Sequence, residues 1–283
     1  MLEAEWTSSG PAWLFCPADR PDRYAKALLA ADVVILDLED AVAPDRKDIA
    51  RTLVRSLAAD YRMDVNRTVI RINAADSPEH AADLRLVEDV GIRMVMLAKA
   101  ETAESLRGVG CDVIALIESV RGVRDVDALT ATPNVVGLMW GADDLTASMG
   151  GTSSRRGDGR YRDLARFARA QVLVAAKARG LFALDAVHMN IPDLVGLAAE
   201  CEDAVALGFD ATVAIHPSQV PAIRAAYRPE SAQIDWAHRL LSHVGDDRGV
   251  TTFEGRMVDG PIYKQAERIL QLAGATANAE RLS

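Results

Sequence analysis

The sequence predicts an α/β protein folded as a (β/α)8 TIM barrel with a helical C-terminal extension. Three observations point there. Short apolar runs alternate with helical patterns eight times over residues 1–227, and strict alternation implies a parallel sheet with right-handed crossovers. The runs are continuous rather than alternating with polar residues, as in strands buried on both faces. The length of 283 residues is ordinary for such a barrel.

Residues 13–16 (WLFC) read as the first strand, and Pro21 is placed to open the helix after it. Residues 33–38 (VVILDL) form a buried strand ending in Glu39 and Asp40. The next helix, over 45–61, carries Ile49, Leu53 and Leu57 on one face. Residues 68–72 (TVIRI) are the third strand, followed by a helix start at Ser77-Pro78-Glu79, with serine as cap and proline in first position. Residues 94–97 (MVML) are the fourth strand, with Lys99 and Glu101 beyond it.

Residues 113–117 and 135–139 supply the fifth and sixth strands, which stop at Glu118 and at Asp143 and Asp144. The Gly-, Ser- and Arg-rich stretch 149–161 reads either as a solvated connection or as an anion-binding lid. A long helix ends at Gly180, strand seven covers 182–186, and a helix over 192–207 stops at Gly208. Strand eight, 211–215, runs into His216-Pro217. Residues 228–283 exceed what a barrel needs: a helix over 231–244, a turn or hairpin over 251–260 and a last helix from Pro261. They read as an extension that packs on the barrel or reaches a neighbouring subunit.

Composition narrows the function. A net charge of −9 gives no reason to expect nucleic acid or an anionic membrane surface as partner. No apolar run approaches membrane-spanning length, and the polar N-terminus lacks a signal-peptide pattern. Three widely spaced cysteines, Cys16, Cys111 and Cys201, form no CxxC pair, so a reducing cytoplasm fits. The HExxH, nucleophile-elbow, P-loop and dinucleotide-binding motifs are missing.

Function in parallel α/β folds collects beyond the strands' carboxyl ends. Glu118 and Asp144 would project there from separate strands; paired carboxylates repel unless a proton or cation intervenes, and all-oxygen ligation suits Mg2+. Both acids also fit as caps or first-turn acids of the following helices, and the pattern leaves the two readings open. Arg71 interrupts the apolar strand TVIRI. A buried guanidinium needs an anion, either Glu39 or Glu118 in a structural pair or a substrate carboxylate. His188 and His216 read more readily as hydrogen-bonded structural groups.

Eight collinear motifs then match one family: FCPADRPDRYAKAL, VVILDLEDAVAP, VIRIN, ALIES, LMWGADDLTASMG, DAVHMNIPDLVGL, LGFDATVAIHPSQV and GRMVDGPIYKQAERIL. The chain resembles the citrate lyase β-subunit-like (CitE-like) proteins of the HpcH/HpaI aldolase superfamily, across nearly its whole length. The resemblance implies Mg2+ held by Glu118 and Asp144, with Asp143 a neighbour and not a ligand. It implies that Arg71 binds the substrate carboxylate and that Glu39 orients it. Phe15, Arg23 and Lys26 match positions near coenzyme A, and Asp259 matches an acid delivered to an adjacent subunit's site in a homo-oligomer, commonly a trimer. Ala211 and Thr212 depart from the Gly-Lys often found before the IHP motif. The implied reaction joins or separates an acyl-CoA thioester and a 2-oxo acid. Alternatives are a class II aldolase on free acids, a malyl-CoA-type thioesterase, and a citrate lyase β subunit active only within a complex.

Overall fold

The computed structural model describes residues 10–245 and 248–282; residues 1–9 of the polar N-terminal stretch lie outside the described residues. Eight parallel strands close into a barrel in sequence order: β1 (Ala12–Pro17), β2 (Val33–Asp37), β3 (Thr68–Ile72), β4 (Met94–Leu97), β5 (Asp112–Ile117), β6 (Val135–Trp140), β7 (Phe182–Asp185) and β8 (Ala211–Ala214). β8 pairs with β1, Ala12 opposite Thr212, and closes the ring. The helices between them are α1 (Pro21–Ala30), α2 (Lys47–Ala59), α3 (His80–Val90), α4 (Ala103–Arg107), α5 (Val120–Thr130), α6 (Ala142–Ser148), α7 (Asp163–Ala178) and α8 (Leu194–Leu207), with α9 (Val220–Tyr227) after β8.

Side chains alternate along each strand and so build two cores. Inward residues such as Trp13, Ile35, Val69, Met96, Leu116 and Leu184 fill the barrel. Their outward neighbours, among them Leu14, Leu36, Ile70, Leu97 and Leu138, pack beneath the helices. Full burial of each such side chain contributes about 1.5–3 kcal/mol. The described residues contain no helix long and apolar enough to cross a membrane.

Three local expectations are corrected. The buried face of α2 is Ala50, Arg51, Val54 and Leu57, while Ile49 is exposed; the face is one residue out because Arg51 turns inward to an ion pair with buried Asp83 at 2.8 Å. The helix after β3 begins at His80, because Ser77 closes a turn instead, its Oγ accepting from the Glu79 N–H. The stretch 149–161 is neither free nor solvated throughout: Ser154 donates to Asp143 at 2.6 Å, Arg155 pairs with Glu200, and Tyr161 packs edge-on against Trp140.

Beyond α9, α10 (Ser231–Val244), a hairpin of β9 (Thr251–Phe253) and β10 (Arg256–Val258), and α11 (Gly260–Leu282) build a core of their own around Leu240, Val258 and Tyr263. Arg268 on α11 donates to the Phe209 carbonyl and pairs with Asp210. The extension is therefore fastened at the amino end of β8, away from the mouth where the strands terminate.

Candidate active site

The inward parity that fills the barrel continues one step past the apolar layers. It brings Phe15, Asp37, Arg71 and Glu118 to the carboxyl-end mouth. Asp37 and Arg71 are register partners on adjacent strands, so their side chains leave the sheet side by side. The guanidinium is held in a fork, Nε to Asp37 Oδ1 at 2.7 Å and Nη2 to Oδ2 at 2.6 Å, with Nη1 3.2 Å from Glu39 Oε2. Phe15 covers one of its faces, ring centroid 4.6 Å from Cζ. Burial opposes the charge, but Asp37, Glu39 and Glu118 outweigh it and push the Arg71 pKa above its ordinary value.

Asp37 also fixes the loop that carries Glu39, accepting the N–H groups of Glu39 at 2.8 Å and Ala41 at 3.1 Å. Beneath that loop the buried Lys47 ammonium donates to the carbonyls of Leu38 and Glu39 and to Asn73 Oδ1, at 2.8–3.0 Å. Asp37 and Lys47 had no assigned role in the sequence reading. Asp37 was signalled by parity, since 33, 35 and 37 share the inner face; Lys47 had no signal.

Glu118 is 4 % exposed. It is not a cap: Ser119 caps α5, accepting from the Gly122 N–H. The Glu118 carboxylate lies over Gly141, where a β-carbon would come within 2.8 Å of Glu118 Cβ and Oε2. Asp144 stands in the first turn of α6, so its helix-end placement holds, yet its carboxylate also reaches the mouth. Lys99 connects the two: its N–H donates to Glu118 Oε1 at 3.0 Å and its Nζ lies 3.5 Å from Asp144 Oδ1. Burial, then the charge of Asp144, push the Glu118 carboxyl up to about 8. Asp143 faces the other way, to Ser154.

This donor set suits a hard divalent cation. Two carboxylates crowd one another, a lysine ammonium already stands against one of them, and all donors are oxygen. With two protein carboxylates as ligands, a cation here would keep positions for substrate oxygens and water.

The remaining expected residues are placed as follows. Arg23 and Lys26 are exposed on α1, just past β1. Asp259 precedes α11 in the extension, and among the described residues its carboxylate makes no hydrogen bond or ion pair. His188 is buried, its Nδ1 at 2.9 Å from Glu200 Oε2. His216 caps the turn Pro217–Gln219. Thr212 is buried against Tyr227, at 2.9 Å between hydroxyls, and puts no basic group at that position.

Comparison with known proteins gives the family and the fold. Residues 12–217 match the family model described as HpcH/HpaI aldolase/citrate lyase. The citrate lyase subunit beta-like protein of Mycobacterium tuberculosis is 51% identical over 268 residues, covering 94% of this chain and 97% of that protein. A (3S)-malyl-CoA thioesterase of Cereibacter sphaeroides is 30% identical over 277 residues, covering 93% and 94%. The crystal structure of M. tuberculosis CitE in complex with magnesium, acetoacetate and coenzyme A superposes with a TM-score of 0.87 at 51% identity, covering 94% of this chain and 98% of that one. The chain belongs to the HpcH/HpaI aldolase/citrate lyase family.

Proposed function

We propose that this chain is a Mg2+-dependent carbon–carbon lyase. It cleaves, or in reverse forms, a 3-hydroxyacyl-CoA such as citryl-, malyl- or citramalyl-CoA, with an acyl-CoA and a 2-oxo acid as products. The observation that carries the reading is the convergence of Glu118, Asp144 and the Asp37-clamped Arg71 at one barrel mouth. Support comes from the relative solved with magnesium, acetoacetate and coenzyme A.

Glu118 and Asp144 would hold the ion. When bound, Mg2+ supplies Lewis-acid polarisation of the substrate hydroxyl or keto oxygen. Asp37 on Nε and Nη2 and Glu39 on Nη1 pre-orient Arg71, and the second N–H of each Nη remains to meet the substrate carboxylate without reorganising. As the carbon–carbon bond breaks, the hydroxyl gives its proton to solvent water and becomes the keto group of the 2-oxo acid; the bonding pair stays with the thioester as an enolate, and the acid that protonates it recovers its proton from solvent. Asp259 of a neighbouring copy protonates that carbon. Arg23 and Lys26 attract the phosphates of coenzyme A, and Phe15, over Arg71, lies on the thioester's path into the mouth. In this reading residues 1–227 are the catalytic barrel, and 228–283 make oligomer contacts and cover the neighbour's mouth. The protein works as a homotrimer, or a multiple of it, in the cytoplasm.

The test is incubation with Mg2+, acetyl- or propionyl-CoA and a panel of 2-oxo acids, with products read by mass spectrometry. A new 3-hydroxyacyl-CoA that disappears in EDTA and in Asp144→Ala supports the reading; formation unchanged in both overturns it. A second reading, thioester hydrolysis, draws on the similarity to the malyl-CoA thioesterase. Release of free coenzyme A from malyl-CoA without a 2-oxo acid distinguishes it.

A further inference from the structure

Lys99 has no place in the reaction just described, yet its amide and its ammonium are both committed to carboxylates at the mouth. Its backbone φ is +49°, in the left-handed region that non-glycine residues seldom adopt because it is strained. The two other non-glycine residues with positive φ among the described residues are Tyr61, which is 98% exposed, and Glu254, in the hairpin turn. At Lys99 the strain has a local result. The flanking amides continue the barrel ladder, Ala98 N–H to the Ile72 carbonyl and Ala100 N–H to that of Leu116. The Lys99 N–H is turned out of the ladder onto Glu118.

The side chain then runs across the mouth. Its Nζ donates to Glu39 Oε1, stands 3.5 Å from Asp144 Oδ1 and lies 3.8 Å from Asp40 Oδ2. Five carboxylates at the mouth, Asp37, Glu39, Asp40, Glu118 and Asp144, thus face two cationic side chains, Arg71 and Lys99. Arg71 pairs with Asp37 and Glu39, and the cation that reaches Asp144 is the Lys99 ammonium.

We propose that Lys99 is the built-in counter-cation of the acid pair, a positioning residue that competes with the divalent ion for Asp144. Its amide keeps Glu118 aimed at the mouth whatever the side chain does. Its ammonium holds Asp144 and Glu39 against their mutual repulsion, and yields Asp144 to an arriving ion while staying on Glu39. The inference rests on the metal reading of Glu118 and Asp144.

Mn2+ as probe, titrated calorimetrically into the full chain, tests it. A single positive charge so close to a ligand oxygen opposes a divalent ion strongly even in a well-screened mouth. Lys99→Met is therefore expected to bind Mn2+ at least tenfold more tightly than the unmodified chain, and to melt at a lower temperature in EDTA. Lys99→Arg, which keeps the charge, should bind within about threefold of the unmodified chain, and Lys99→Gln should follow Lys99→Met. Equal or weaker Mn2+ binding in both neutral variants overturns the proposal. Absence of Mn2+ binding in the unmodified chain, Lys99→Met and Asp144→Ala alike overturns the metal reading as well.

Discussion

Replacing Glu118 by glutamine is expected to stabilise the metal-free protein at alkaline pH. The carboxyl is nearly inaccessible, beside Asp144, and is raised from 4.5 to about 8. At about 1.4 kcal/mol for each tenfold change in proton affinity, ionising it in the folded state costs on the order of 5 kcal/mol. The sign follows from linkage. A carboxyl whose folded pKa is raised binds its proton more tightly folded than unfolded. Its favourable contribution is complete below pH 4.5 and is lost as pH rises through about 8.

Glutamine keeps an acceptor for the Lys99 N–H and has no proton to lose. Urea unfolding of both proteins in EDTA between about pH 6 and pH 9 should therefore show Glu118→Gln gaining on the unmodified chain by about 1.4 kcal/mol per pH unit and levelling above about pH 8. Added Mg2+ should reverse the order by raising only the unmodified chain. A difference that does not vary with pH, or a glutamine variant that is the less stable at pH 9, would falsify the account of Glu118 as a carboxylate crowded into a dry mouth.

The same proton has to leave before a cation can bind. Apparent Mg2+ affinity should rise close to tenfold per pH unit below about pH 8 and level off above it, read by calorimetry in two buffers of different ionisation enthalpy. Gly141→Ala would put a β-carbon 2.8 Å from Glu118 Oε2; divalent binding should weaken at least tenfold on the order of the cost of a displaced ligand, with circular dichroism unchanged. Asp37→Asn breaks the fork on a buried guanidinium, and urea unfolding should show a loss of about 3 kcal/mol. Asp259→Ala and Glu118→Ala are each expected to be inactive alone; mixed, and exchanged as oligomers, they should regain activity if the acid acts across subunits.

Much of the fold was written locally. Each of the eight apolar runs became a strand with ends within a residue or two of those expected, because burial on both faces demands an unbroken apolar segment. The acids just beyond them gather at one end, since the parallel arrangement sends every carboxyl end to one mouth. Local pattern failed where a long-range partner prevailed. The buried face of α2 shifted because Arg51 found Asp83, thirty-two residues on. The loop after α6 was held by Asp143 and Glu200, and no composition could announce those partners.

For the site, the sequence by itself determined which residue types stand at the strand ends: an arginine in an apolar strand, and a glutamate and an aspartate after two others. Strand periodicity alone places them. Which of them touch was decided by barrel closure. The stagger between β2 and β3 sets Asp37 opposite Arg71, a partner not expected, while Glu39, one of the two expected, stands 3.2 Å from Nη1. The meeting of β5 and β6 lays Glu118 over a glycine, and a left-handed residue beyond β4 hands its amide to that same carboxylate. Register and twist are properties of the whole ring, summed over eight strands, so no single segment of the chain encodes them.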